Sequence, residues 1–215
     1  MSAAADSAAG SGLAGTLRVT EIFHSIQGES SRVGLPTVFV RLTGCPLRCV
    51  WCDTAYAFSG GEALSIDEVL RRVAAFDCAT VCVTGGEPLA QKGCLALLEA
   101  LCDAGYSVSL ETSGALDIGG VDRRVARIMD LKAPGSGEQE RNRWENLDLL
   151  SAGDELKFVL ASRGDYDWAV SACRQRRLFE RCPVLFSPVQ GQLDPAQLAQ
   201  WLLDDRMPAR FQLQL

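Results

Sequence analysis

Three cysteines fall within eight residues, Cys45-Pro46-Leu47-Arg48-Cys49-Val50-Trp51-Cys52, spaced C-x3-C-x2-C directly after an apolar, β-branched run at Thr37–Leu42. Thiolates this close can converge on one metal centre. A closed zinc site takes four ligands in two pairs; here there are three cysteines, a lone His24 well upstream, and Asp53 as an unusual fourth ligand. Soft thiolates equally favour iron–sulfur clusters, where three cysteines can hold three irons of a cubane and leave the fourth to a non-protein ligand. On ligand count the cluster is the better reading than zinc, or than three cysteines with no metal. A second candidate is Thr84-Gly85-Gly86-Glu87-Pro88, at the end of another strand candidate. Paired glycines at a strand end let backbone approach a ligand. Taken alone the string is a turn, and Glu87 an acid at the N-terminus of the following helix.

The cysteine spacing, with an aromatic residue before the last cysteine, resembles the signature of the radical S-adenosylmethionine (SAM) superfamily. The resemblance implies a 4Fe-4S cluster on Cys45, Cys49 and Cys52, its fourth iron chelated by the amino and carboxylate groups of SAM. One-electron reduction then cleaves SAM to a 5′-deoxyadenosyl radical that abstracts hydrogen from the substrate. The cofactor brings the hard chemistry, and the protein brings orientation and exclusion of water. The resemblance also sets Trp51 against the adenine, where a core aromatic would read the same way, and gives the TGGEP segment the SAM amino group.

Three further strings narrow the likeness: Glu21-Ile22-Phe23-His24-Ser25-Ile26-Gln27-Gly28-Glu29, Phe39-Val40-Arg41-Leu42-Thr43-Gly44-Cys45 and Cys52-Asp53-Thr54. In this order, with TGGEP, they resemble the 7-carboxy-7-deazaguanine synthase family of queuosine and 7-deazapurine biosynthesis, from about Leu17 to Leu215. That family turns 6-carboxy-5,6,7,8-tetrahydropterin into 7-carboxy-7-deazaguanine, a radical ring contraction that loses ammonia and needs Mg²⁺. Similarity assigns Ile26, Gln27 and Gly28 to the pterin and Arg41 to the substrate carboxylate, which a guanidinium fork suits. It adds Thr84 to the substrate contacts and makes Thr54 a ligand of Mg²⁺, a hard cation that takes oxygen donors. Read alone, Arg41 is a surface ion pair and Thr54 a turn hydroxyl. For SAM the matching places are Trp51, Cys52, Asp53, Gly86, Asp130-Leu131-Lys132 and Ser187-Pro188-Val189-Gln190. Many relatives carry Ser-Pro-Lys and Gln-Pro at the last two places. Relatives also continue past a Gln-Leu-Gln stretch with His-Lys and a tail that closes over the substrate, where this sequence has Gln212-Leu213-Gln214-Leu215. A glycyl-radical activase, or another small radical SAM enzyme, shares the cysteines and GGEP without needing Gln27, Arg41 and Thr54. A zinc or cluster-binding scaffold is the non-enzymatic alternative. Family precedent suggests a homodimer reduced by flavodoxin or ferredoxin.

Something must hold these residues in place. Strand candidates are Leu17–Ile22, Thr37–Leu42, Thr80–Thr84, Ser107–Glu111, Arg127–Leu131, Glu155–Leu160, Val184–Ser187 and Arg210–Leu213. Between them fall helices at Lys92–Ala104, Tyr166–Arg176 and Ala196–Leu203. Another follows Ser65-Ile66-Asp67-Glu68, which reads as a reciprocal capping box, and Asp194-Pro195 is an N-cap with proline at the first helical position. Alternation repeated about six times predicts a mostly parallel sheet with helical crossovers. A full (β/α) barrel takes about 250 residues, so about 200 residues after the tail predict an α/β fold, a shortened or partial (β/α) TIM-like barrel. In such a fold reactive groups gather after the strand C-termini. Glu111-Thr112-Ser113-Gly114 then lines the pocket or is an ordinary turn. His24, the only histidine, is read as structural.

The 215 residues are 47% hydrophobic and 22% charged, which predicts one folded domain over 17–215 behind a Ser/Ala/Gly-rich flexible tail over 1–16. A net charge of -6 predicts no broad phosphate-binding face, hence no nucleic-acid partner. No apolar run approaches the roughly 18 residues of a membrane span. Nine cysteines, an odd number without a secretory signature, predict a reducing, cytoplasmic setting with no disulfide framework.

Overall fold

The computed structural model describes residues 15–214. The tail expected over 1–16 lies outside them as far as residue 14, and Thr16 already opens the first strand. Strand β1 (Thr16–Ile26) runs antiparallel to β2 (Pro36–Leu42) on one side and to β3 (Glu62–Ser65) on the other. From β2 onward all pairings are parallel: β4 (Thr80–Gly85), β5 (Ser107–Thr112), β6 (Ala126–Asp130), β7 (Glu155–Leu160), β8 (Val184–Pro188) and β9 (Arg210–Phe211). The sheet order β3-β1-β2-β4-β5-β6-β7-β8-β9 leaves β3 and β9 as unpaired edges, so the barrel is partial and its sheet mostly parallel.

Side chains alternate faces along a strand. On the outer face Val38, Val40, Val83, Leu110, Phe158 and Phe186 join the apolar core. Four helices cover them, α1 (Ile66–Ala74), α2 (Cys94–Asp103), α3 (Arg163–Gln175) and α4 (Pro195–Asp204), through Val69, Leu98, Tyr166 and Leu198 among others. The inner face holds the opposite set, and there Arg41, Thr84, Glu111, Asp130 and Lys157 line one cavity. Curvature brings the ends of the sheet together. The β1–β2 loop donates Ser31 N–H to the Glu155 carboxylate of β7 at 3.0 Å and Ser30 N–H to Gln212, just past β9, at 2.8 Å.

Three expectations need correcting. The alternation yields four α-helices, because the β5–β6 connection has none and the β6–β7 connection runs through single turns at Pro134–Ser136, Gln139–Arg141 and Trp144–Leu149. Pro134, with glycines at 135 and 137, breaks any helical run there. The capping box is half made: Ser65 Oγ accepts Glu68 N–H at 3.2 Å, but the Glu68 carboxylate goes to Arg72 at 2.7 Å. Ser65 is also the last residue of β3, paired with Thr16. Helix α3 starts earlier than expected because Ser162 caps it, accepting Asp165 N–H at 3.1 Å.

Candidate active site

The loop that leaves β2 carries the cysteines. Leu47 is its apolar anchor, 1% exposed. Arg48 ties the loop to itself, donating to the carbonyls of Cys45 at 2.8 Å and Leu47 at 2.6 Å while its guanidinium lies 4.3 Å over the Phe58 ring. Two bonds fasten the loop to the β6–β7 connection, Arg48 N–H to Glu138 at 2.6 Å and Val50 N–H to the Ser136 carbonyl at 3.0 Å. Leu47 N–H reaches the Cys45 sulfur at 3.4 Å, and Cys52 Sγ lies 3.8 Å from Thr54 Oγ1. Burial pushes the Cys45 and Cys49 thiols up, and the positive charge of Lys132 opposes it at both.

The three thiols line a single cavity of about 350 Å³. Among the described residues, no group of three or more His, Cys, Asp and Glu side chains is placed to hold one metal ion. A closed zinc site draws its ligands onto one point, whereas a cubane takes each thiolate on a different iron. Three half-buried thiols around one cavity therefore fit a 4Fe-4S cluster lacking a fourth protein ligand. His24 is exposed on β1, beside the Phe76 ring and away from the cavity.

The segment after β4 packs directly on this loop. Gly86 N–H donates to the Leu42 carbonyl at 3.1 Å and Glu87 N–H to the Gly44 carbonyl at 2.8 Å. A Cβ on Gly86 would stand 2.3 Å from the Gly44 oxygen and 2.8 Å from Cys45 Cβ, so only glycine allows this approach. Glu87 is fully buried and is not among the residues that line the cavity. It accepts Thr112 Oγ1 at 3.0 Å, Ser113 N–H at 2.7 Å and Leu89 N–H at 3.0 Å, tying the ends of β4 and β5 together. The helix it was expected to head, Lys92–Ala104, forms only from Cys94 on, and Glu87 instead caps the single turn Pro88–Ala90 that precedes it.

The inner strand faces supply a polar floor. Lys157 pairs with Glu29 and lies 3.8 Å from Asp130, which also pairs with Lys132 at 3.0 Å. Glu111 accepts Thr84 Oγ1 at 2.8 Å and Gln27 Nε2 at 3.3 Å. Burial, then the like charge of Glu29, holds the Glu111 carboxyl above its ordinary range. Burial would raise Glu29 too, but the Lys157 ammonium outweighs it and keeps that carboxyl low. Arg41 rests between the rings of Phe23 and Tyr56, 5.8 Å from each, and gives its Nε to Glu21 at 2.7 Å. Its Nη atoms take no hydrogen bond among the described residues.

Most of the residues singled out from sequence meet here. Cys45, Cys49, Trp51, Cys52, Asp53 and Thr54 line the cavity from the cysteine loop, and Gly86 beside it. Ile26 lines it from the end of β1, Gln27 and Gly28 from the β1–β2 loop, Arg41, Thr84 and Asp130 from the sheet, and Lys132 from just past β6. Leu131 points the other way into the apolar core and meets Lys157 only through its backbone N–H, 2.9 Å from that carbonyl. Ser187, Pro188, Val189 and Gln190 lie outside the lining. Ser187 is in register with Val159, a lining residue, and its buried Oγ has no partner among the described residues. Lys157 was not singled out. Its signal was there, since in Glu155-Leu156-Lys157-Phe158-Val159-Leu160 it alternates with the outward Leu156, Phe158 and Leu160.

Comparison with known proteins agrees with this geometry. Residues 39–179 match the family model of the radical SAM superfamily. A 7-carboxy-7-deazaguanine synthase of Chlorobaculum tepidum is 51% identical over 202 residues, covering 93% of this chain and 92% of that protein. One from Koribacter versatilis is 42% identical, covering 92% and 94%. Among solved structures, QueE from Escherichia coli superposes with a TM-score of 0.73 over 93% of this chain and 94% of that one, at 22% identity, a likeness of fold. The chain therefore belongs to the radical SAM superfamily, whose members use a 4Fe-4S cluster and SAM, and within it to the 7-carboxy-7-deazaguanine synthase family.

Proposed function

We propose that residues 17–215 form a catalytic domain that converts 6-carboxy-5,6,7,8-tetrahydropterin to 7-carboxy-7-deazaguanine with loss of ammonia. The observation that carries this is one cavity lined both by the three thiols and by Arg41, Gln27 and Glu111. Its volume, about 350 Å³, suits a small molecule.

When bound on Cys45, Cys49 and Cys52, the cluster supplies the electron that turns SAM into a source of a hydrogen-abstracting radical. The chain's own residues bind, orient and exclude water. Arg41, with Nε already fixed by Glu21, offers its Nη pair to the substrate carboxylate. Glu111 fixes the amide of Gln27 and the hydroxyl of Thr84, so both present defined faces to the pterin. Trp51, Asp53, Gly86 and the Asp130–Lys132 segment take SAM, and Ser187 through Gln190 complete its side from the end of β8. Thr54, beside Cys52, gives Mg²⁺ a hydroxyl oxygen. The working enzyme is a cytoplasmic homodimer that draws electrons from a flavodoxin or ferredoxin. Among the described residues no helix is long and apolar enough to cross a membrane.

One assay tests the reading. Protein reconstituted without oxygen is incubated with the carboxytetrahydropterin, SAM, dithionite and Mg²⁺, and the products are separated by mass. A deazapurine carboxylate with 5′-deoxyadenosine is expected, and less of it when Mg²⁺ is left out. SAM cleavage with no deazapurine would overturn the substrate assignment.

A further inference from the structure

Lys157 sits at the centre of β7 on the inner face, its side chain 10% exposed. A buried ammonium carries three donors and is costly unless they are paired. Its partners come from two different elements. Glu29 belongs to the β1–β2 loop that also carries Gln27 and Gly28, while Asp130 ends β6 and leads into Leu131 and Lys132. The chain of contacts continues beyond each partner. Glu29 N–H donates to Gln27 Oε1 at 3.1 Å, Gln27 Nε2 to Glu111 at 3.3 Å, and Asp130 Oδ2 accepts Lys132 at 3.0 Å. Asp130 Oδ1 is buried with no partner among the described residues, open to a donor from a bound molecule.

We propose that Lys157 is a positioning residue that couples the two subsites, so that SAM bound beside Asp130 strengthens pterin binding beside Glu29, and the reverse. The proposal rests on the functional reading above for the identity of the two ligands. A donor on Asp130 Oδ1 draws that carboxylate's charge toward the ligand and leaves more of the ammonium to Glu29. Glu29 then holds the Gln27 amide in the orientation the second ligand meets. Such coupling is reciprocal by thermodynamic necessity. Lys157 transmits; Arg41, with free Nη atoms, is the carboxylate-binding cation.

The test is calorimetric titration of cluster-loaded, unreduced protein, in which SAM binds without being cleaved. SAM affinity is measured alone and with saturating 6-carboxy-5,6,7,8-tetrahydropterin. In the unaltered protein the pterin is expected to tighten SAM about fivefold or more. Lys157→Met and Glu29→Gln should each bring that ratio to near one, and Lys157→Arg should recover part of it. Glu29→Gln leaves Lys157 its Asp130 partner, so SAM should still bind without pterin, and this variant carries the test if Lys157→Met does not fold. A ratio near one in the unaltered protein, or undiminished in Glu29→Gln, overturns the coupling. Failure of the pterin to bind at all, while SAM binds, overturns the functional reading instead, and the coupling with it.

Discussion

At Cys49 the chemistry and the fold are separable. Its thiol is half-buried on a loop outside the apolar core, while the loop's anchorage comes from Leu47, Arg48 and Val50. Cys49→Ala should therefore abolish cluster assembly, read as loss of iron, sulfide and brown colour after anaerobic reconstitution. Surface changes of this kind alter stability by at most about 0.5 kcal/mol, so melting of the cluster-free variant should fall within about 2 °C of the cluster-free parent. A large drop in melting temperature would mean that the thiol is part of the packing. The cysteine loop was legible because its whole meaning lies in a spacing of a few residues. Glu87 was not. It reads locally as the acid before a helix, but its partners Thr112 and Ser113 stand on the next strand, and nothing in a linear string joins them. Lys157 was hidden differently, inside a run whose apolar neighbours belong to the opposite face.

At the scale of elements, the β1–β2 loop shows what holds the substrate side. Gln212 pairs with Ser30 in both directions, accepting its N–H and donating to its carbonyl, each at 2.8 Å. Ser30 is fully buried and sits at φ +65°, a left-handed conformation that a serine keeps only when its surroundings impose it. Gln212→Ala would leave the buried Ser30 N–H unsatisfied and its carbonyl with only the 3.3 Å bond from Val33 N–H, at a cost of about 1–3 kcal/mol. Because Gln27 and Gly28 ride on the same loop, KM for the pterin should rise severalfold while SAM affinity in its absence holds. Equal loss in both would make Gln212 a general stabiliser. Element types were largely readable: Ser65 and Asp194 each cap a helix, though the Ser162 cap went unread, and eight of the strands follow apolar runs. The ninth, Glu62–Ser65, is short and mostly exposed, so no apolar signal marks it. The connections between β5 and β7, where no helix was named, are loops that Asn146 fastens together, its amide donating to the carbonyls of Gly114 at 3.0 Å and Leu116 at 2.7 Å. That bond spans two connections, and only the fold brings them into reach.

For the whole molecule, the inner face of the sheet is a place where stability has been given up. The outer face buries valine, leucine and phenylalanine under helices, but the inner one encloses Glu29, Glu111, Asp130, Lys132 and Lys157 around a cavity. Glu111 is the costly member, since burial and the nearby Glu29 charge both disfavour its ionised form. A carboxyl held above its usual value of 4.5 contributes stability that is fully present below that pH and lost as pH rises through the folded value. Once ionised, Glu111 thus works against folding, and Glu111→Gln removes the charge while keeping an acceptor for Thr84. The variant should be more stable than the parent by roughly 1 kcal/mol near pH 7, a rise of about 2–4 °C in melting temperature for a chain of this size. The gap should close toward pH 4, where the parent's carboxyl is protonated as well. Turnover should fall in the same variant, because Gln27 and Thr84 lose the anion that orients them. A melting temperature that drops at pH 7, or a gap that does not narrow with acid, would mean that the ionised carboxylate holds the floor together.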